Sequence, residues 1–231
     1  MSKRYVNTKI THRGINIMED KIKLLLKYIE KEKELTREWD KEDGIDVDAE
    51  DYEITSLVNV DRIKNFIGYR NIRIEEAWFN KLNRGNTSRE VREKAVDYDA
   101  ERSRRHSLAL NSMVGINRFG EEHDLPKFYE GELVQGSDID NYRNIDVRKK
   151  ETDFFLQFID KLSRTSGIII NKYMDEAGIN RENSDGGMSF IKELQKNVDT
   201  VDNKYGVEKN LTEDEGDIKF KDDDILSGYD R

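Results

Sequence analysis

Hydrophobic and polar residues are distributed along this chain with the period of an α-helix. Between residues 16 and 39 the apolar residues recur every three or four positions, which places them along one face. The same spacing predicts further helices over residues 51–67, 72–83, 147–164, 168–177 and 187–203. Gly68, Gly85 and Gly167 follow three of these segments, at the position where a glycine commonly ends a helix. The pattern therefore predicts an all-α protein.

The longest predicted helix lies in the middle of the chain. It begins at Thr87-Ser88-Arg89-Glu90, a capping box in which the Thr87 hydroxyl accepts the backbone N–H of Glu90. No residue favours an end before Leu125-Pro126, where the proline disfavours helical backbone in the preceding residue. We therefore expect a helix over residues 88–122, and a multi-helix bundle in which it is the long central helix.

A loop rich in glycine and aspartate, residues 128–144, divides the predicted helices into two groups. We predict an N-terminal helical lobe over residues 15–135 and a smaller C-terminal helical lobe over residues 145–205. Residues 1–14 are predicted to form a basic arm with a short extended piece at 5–11. Residues 206–231 form an acidic tail whose composition is typical of disorder.

Composition narrows the classes of function. The chain has no cysteine, which excludes disulfides, thiolate metal sites and cysteine nucleophiles. The first 18 residues lack the continuous apolar stretch of a signal peptide, and no apolar run approaches the roughly 20 residues that cross a bilayer. Most of the net charge of −9 falls in residues 199–231, which contain eleven acids and five bases. We expect a bacterial-type cytoplasmic protein with no membrane partner and no cofactor.

Three polar residues interrupt the apolar stripe of the long helix where it enters the predicted core. These are Asp99, Arg102 and His106. In a functional interpretation His106 is an acid or base with Asp99 as its partner, and Arg102 forms an anion clamp with Arg105. In a structural interpretation Asp99 and Arg102 form a buried ion-pair network that fixes the helix register. We favour the structural interpretation, because such networks are commoner than active sites.

The segment that contains this stripe also carries a family resemblance. The residues that carry it are Asp99, Arg104-Arg105-His106, Asn117-Arg118, Leu125-Pro126 and 129–131. With them, residues 98–133 resemble a family of uncharacterised bacterial proteins, many of which are encoded on plasmids and conjugative elements. The resemblance covers about a sixth of the chain. It implies a mobile-element context and assigns no site residues.

A metal site has one candidate set in the sequence. His106, followed later by His123-Asp124, is similar to HD-domain phosphohydrolases, all-helical enzymes in which a histidine, a His-Asp pair and a distant aspartate bind metal. The separation is short for that family, and a histidine in the last turn of a helix is favoured by the helix dipole alone. We therefore predict no metal, and keep His106, His123 and Asp124 as weak candidates.

Three functions remain after these exclusions. The favoured hypothesis is a non-enzymatic helical protein-interaction or accessory protein, of a bacterial mobile element if the resemblance holds. The first alternative is a nucleic-acid-binding accessory protein that uses the basic arm with Arg102, Arg104 and Arg105. The second is a metal-dependent phosphohydrolase built on His106, His123 and Asp124. The partner is expected to be a protein, with nucleic acid as the alternative, and the oligomeric state is left open.

Overall fold

The computed structural model describes residues 3–54, 56–132, 145–177 and 185–207, and most of them are helical. Within these ranges there are five helices and no β-strand. The helices are α1 (Lys3–Glu42), α2 (Val58–Leu82), α3 (Arg89–Glu122), α4 (Ile145–Ala177) and α5 (Asp185–Tyr205). The predicted all-α class is confirmed, and so is the long helix expected over residues 88–122.

Helix α2 is in contact with each of the other four helices. Its residues Ile63 and Phe66 are fully buried, and they share one continuous core with Leu25 of α1 and Phe155 of α4. Residues of α5 belong to the same core. The predicted lobes, residues 15–135 and 145–205, therefore do not have separate cores in the described part of the chain. The physical reason is that the apolar stripes of α1, α4 and α5 are buried together with that of α2.

The start of α2 is fixed by a residue distant in sequence. The carboxylate of Glu32 accepts the backbone N–H of Val58 at 2.5 Å and that of Asn59 at 3.0 Å. These are two of the amides that a helix N-terminus leaves without an intrahelical partner. Burial raises the pKa of Glu32. The helix accordingly begins at Val58, not at the predicted residue 51.

Two predicted helix ends are wrong, because the glycines lie inside longer helices. Gly68 is inside α2 and Gly167 is inside α4. A single interior glycine costs a helix only about 1 kcal/mol, which tertiary packing on both sides readily offsets. Gly85 was assigned correctly, since it follows the end of α2 with φ +81°. The helices are therefore fewer and longer than the sequence pattern predicts.

The two ends of the chain also differ from the prediction. Residues 3–14, predicted as an arm with an extended piece, belong to α1, because nothing there except Gly14 opposes a helix. At the other end Val207 is buried against Ile74, although it was placed in the tail. Residues 208–231, for which disorder was predicted, lie outside the described residues, as does most of the predicted lobe boundary.

The N-cap of α3 is shifted by one residue from the predicted capping box. The Ser88 hydroxyl, not that of Thr87, accepts the backbone N–H of Val91 at 3.4 Å.

None of the described helices combines the length with the apolar character that a membrane crossing requires.

Candidate functional site

The polar stripe of α3 lies opposite α2 in an antiparallel pair of helices. The ring of Phe79 on α2 is 5.0 Å from that of Tyr98 on α3, and farther along Asn65 donates a hydrogen bond of 2.9 Å to Ser112. Since residue numbers rise along one helix as they fall along the other, this register places His106 opposite Tyr69. Their ring centroids are 4.8 Å apart.

His106 is enclosed between two aromatic rings on different helices. Tyr69 of α2 covers it on one side, and Phe155 of α4 approaches nearly edge-on with a centroid distance of 6.4 Å. The Nε2 atom of His106 is buried and has no hydrogen-bond partner among the residues that the structure describes. Burial, and then the charges of nearby arginines, lower the pKa of His106 from 6.5 to about 4. The imidazole is therefore neutral at pH 7.

The charges that act on His106 come from three helices, and all are positive: Arg102, Arg148 and Arg73. Arg73 follows Tyr69 by one turn of α2, and Arg102 precedes His106 by one turn of α3. Arg148 precedes Phe155 by two turns of α4. We call Arg73, Arg102, His106 and Arg148 the arginine site.

A second nitrogen of the arginine site is also buried without a partner. Within the described ranges, no hydrogen bond reaches the Nη1 atom of Arg73. A buried cationic donor that lacks both water and a counter-charge is costly, and proteins usually pair or ligate such a group. The arginine site therefore includes two buried nitrogen atoms, one on α2 and one on α3, for which no hydrogen bond is described.

Asp99 and Arg102 were predicted to form a buried ion pair, and the predicted burial is wrong. The two side chains do form an ion pair, but Asp99 is 63% exposed and Arg102 is 37% exposed. Arg102 also pairs with Glu76 of α2 at 2.8 Å. The buried face of α3 begins only at Ala109, so residue 99 lies on a part of the helix that projects past the core. Asp99 is therefore not placed to orient His106.

The predicted ridge of Arg104 and Arg105 shares a single carboxylate. Glu101 pairs with Arg104 at 2.6 Å and with Arg105 at 2.8 Å. Hydrogen bonds from Arg104 and Arg105 lower the pKa of Glu101 to about 2. Glu101 offsets one of the two positive charges and leaves the other. Arg102 is the member of the predicted anion set that belongs to the arginine site.

The structure separates the candidate metal ligands. His106 and His123 are 17 positions apart on one helix and its cap, which corresponds to about 26 Å at 1.5 Å per residue. His123 is the C-cap of α3 and packs on Phe119 at 4.5 Å, and Asp124 follows at φ 56°. No group of three or more metal-ligating side chains occurs in the described ranges. His106, His123 and Asp124 cannot hold one ion together.

Several of the residues on which the predicted resemblance depends make structural contacts in the segment after α3. The side chain of Asn117 donates to the carbonyl of Tyr129 at 2.8 Å and accepts its backbone N–H at 3.0 Å. The Tyr28 hydroxyl donates to the carbonyl of Pro126 at 2.5 Å. Gly131 lies so close to the Tyr129 ring that a Cβ atom there would overlap it. These residues fasten the segment after α3 onto the bundle.

Sequence reasoning found His106 and Arg102 but missed Tyr69, Arg73 and Arg148. Tyr69 and Arg73 share a face at the four-residue spacing, which is a signal visible in the sequence. No signal shows that this face meets His106 or that Arg148 joins it from α4, because both are consequences of how three helices pack.

Comparison with models of protein families, with curated proteins and with solved structures gave no match.

Proposed function

We propose that this protein is a non-enzymatic interaction protein that binds an anionic group of its partner or ligand at the arginine site. One observation carries the proposal. The buried atoms His106 Nε2 and Arg73 Nη1 have no hydrogen-bond partner in the described part of the chain, and the charges acting on His106 are all positive. An anion supplies both missing interactions, because its oxygens accept hydrogen bonds from the Arg73 guanidinium and from the Nε2–H tautomer of the neutral imidazole.

A catalytic role for His106 has less support than a binding role. General acid–base catalysis at neutral pH favours a group whose pKa lies near 7, often beside a second group that orients it. The pKa of His106 is about 4, and its expected partner Asp99 is exposed to solvent. Arginines around a neutral imidazole are better suited to holding an anion in place.

The proposal is tested by thermal unfolding of the full chain with and without inorganic phosphate. We expect phosphate to raise the melting temperature, by an amount equivalent to about 2.7 kcal/mol at a hundred times the dissociation constant. Arg73→Gln should abolish this rise. Without phosphate the same variant should be as stable as the parent or more stable, because it removes a buried nitrogen atom that has no hydrogen-bond partner.

Arg104→Gln is the matched control, because Arg104 is an exposed arginine on α3 that is held by Glu101. It should keep the full response to phosphate. If phosphate stabilised neither protein, or stabilised the parent and Arg73→Gln equally, the arginine site would not be an anion site.

Nucleic-acid binding is a second candidate, which one observation on α1 favours. The first 18 residues contain Lys3, Arg4, Lys9 and Arg13 and no acid, and the helix that carries them begins at Lys3. Lysine and arginine neutralise phosphates in proportion to their number, so retention on DNA should fall steeply with salt. Replacing the four residues by glutamine should remove that retention and leave the thermal response to phosphate unchanged.

A further inference from the structure

The two ends of α1 carry opposite charge. Residues 3–17 contain four bases and no acid, whereas residues 34–53 contain ten acids and two bases. Helix α1 has 40 residues, which corresponds to a length of about 60 Å at 1.5 Å per residue. Two copies of such a helix attract each other in the antiparallel orientation, because each end then faces the opposite charge.

Charged residues also follow one line along α1. Positions seven residues apart on a helix lie within about 20° of each other around its axis, and positions four apart within about 40°. The line runs through Lys9, Arg13, Asp20, Lys27, Glu34 and Glu38, which we call the α1 charge line. Its last four residues are exposed, so this line faces away from the core that α1 shares with α2 and α4.

The α1 charge line is complementary to itself about the midpoint between Lys23 and Leu24. The residues at equal distance from this midpoint are Asp20 with Lys27, Arg13 with Glu34, and Lys9 with Glu38. A two-fold axis at the midpoint places each residue of one antiparallel copy opposite the residue at equal distance in the other copy. Three pairs of opposite charge then form, and symmetry makes each of them occur twice.

These charges are largely available for such pairing. Asp20, Lys27 and Glu38 form no ion pair in the described part of the chain. Glu34 pairs with Lys31 at 3.1 Å, but an exposed pair three positions apart on one helix contributes little to stability. In the antiparallel arrangement Lys31 faces the partner's Asn16, which is neutral, so no like charges meet at this position.

A cavity of about 510 Å³ lies at the same midpoint of α1. The residues around it include Asp20, Lys23, Leu24 and Lys27, with Pro126 and Tyr173 on the neighbouring segments. On α1 the cavity is therefore centred on the proposed axis, and the cavities of two copies would meet there. Exposed ion pairs fix the orientation of a partner but add little affinity, and burial of the apolar groups of Leu24, Pro126 and Tyr173 supplies the rest.

We infer that the α1 charge line binds a second copy of this chain and forms a two-fold antiparallel dimer. Symmetry favours a second copy over an unrelated partner, because an unrelated partner does not require the line to be complementary to itself. The inference is independent of the arginine site, whose residues lie on α2, α3 and α4.

Sedimentation equilibrium of the full chain at pH 7 and about 100 μM tests the dimer. We expect a dimer whose dissociation constant rises at least about tenfold between 0.1 M and 1 M salt, because the screening length falls from about 10 Å to about 3 Å. A parent chain that is monomeric in 0.1 M salt would overturn the inference. If that monomer were retained on DNA, the bases of residues 3–17 would belong to a nucleic-acid surface instead.

Charge exchange at the central pair tests the register. Asp20→Lys and Lys27→Asp each place like charges opposite one another twice, so either variant alone should be monomeric in 0.1 M salt. An equimolar mixture of the two variants should dimerise again, because each substituted residue then faces the opposite charge. This recovery also shows that both variants are folded.

Asp97→Lys is the matched control, since Asp97 is an exposed aspartate on α3 and the change in charge is the same. It should dimerise as the parent does. Dimers that persist in Asp20→Lys or Lys27→Asp, a mixture that stays monomeric, or an equal loss of dimer in Asp97→Lys would each overturn the proposed interface.

Discussion

At the scale of single residues, the environment of His106 shows how burial and charge act together. The imidazole is enclosed by Tyr69 and Phe155, and the nearby arginines oppose its protonation. Both effects favour the neutral form, which is the reason that an exposed histidine and this one behave differently at the same pH. The result is a histidine that is neutral at pH 7.

The first prediction concerns the stability of the free protein as a function of pH. The pKa of His106 is about 4 in the folded state and about 6.5 when unfolded. Between these values the unfolded chain binds the extra proton, so stability falls as the pH falls from 6.5 towards 4. The loss attributable to His106 is about 3 kcal/mol over that range.

Urea unfolding of the parent and of His106→Gln at pH 7 and at pH 4.5 measures this effect. The two proteins should differ less at pH 4.5 than at pH 7, because the parent alone has lost the stability that depends on a neutral imidazole. Other groups, such as Glu32, titrate in both proteins and cancel in the comparison. An equal difference at the two pH values would show that His106 is not desolvated.

At the scale of elements, a buried ion pair between α2 and α5 determines how the C-terminal helices join the bundle. Arg70 donates two hydrogen bonds to the carboxylate of Asp202, at 2.7 Å and 3.0 Å, and both side chains are only 3% exposed. Asp160 of α4 lies close enough for the charges of Arg70 and Asp202 to act on it, and burial raises its pKa. Arg70 therefore connects α2 to the region where α4 and α5 pack.

The second prediction contrasts this pair with the exposed pair on α3. Asp202→Ala leaves Arg70 buried without its bidentate partner, which should cost about 3–5 kcal/mol in the free energy of unfolding. Arg102→Ala should cost only about 1 kcal/mol, because Arg102 is 37% exposed and water can reach the carboxylates of Asp99 and Glu76 that it leaves. The measurement is urea unfolding at pH 7.

Replacing both members of the buried pair, as in Arg70→Met with Asp202→Leu, serves as the control. Apolar side chains of similar size remove the stranded charge, so most of the stability lost in Asp202→Ala should return. A double variant as unstable as Asp202→Ala would mean that the damage comes from packing and not from the uncompensated charge.

The contrast between these pairs also shows how far the sequence could predict the structure. Helical periodicity identified α3 to within one residue at its start, because the apolar spacing and the cap are local. Gly68 and Gly167 gave false helix ends, since only tertiary packing decides whether an interior glycine is tolerated. Arg70 looked like any arginine on a helix, and its partner lies 132 positions away. The candidate site depends on the same kind of distant contact.

At the scale of the whole molecule, a second small cluster of buried residues lies at the end of the described chain. Val207 is buried in a small cluster with Ile74, beside Trp78 and Tyr205. Its backbone N–H donates to the carbonyl of Asp202 at 3.0 Å. The boundary between the packed chain and the acidic segment therefore falls at least two residues later than the predicted position at 206.

The last prediction tests that boundary with two truncations that differ by a single residue. A chain ending at Val207 should have nearly the melting temperature of the full protein, because residues 208–231 are rich in acids and poor in apolar side chains. A chain ending at Gly206 loses the buried valine as well, and burial of such a side chain stabilises by about 1.5–3 kcal/mol. The shorter chain should therefore melt several degrees lower, because 1 kcal/mol corresponds to about 2–4 °C for a domain of this size. Differential scanning calorimetry at pH 7 measures both. Equal melting temperatures for the two truncated chains would show that Val207 adds nothing to the core, and a large loss in both would show that residues beyond 207 contribute to it.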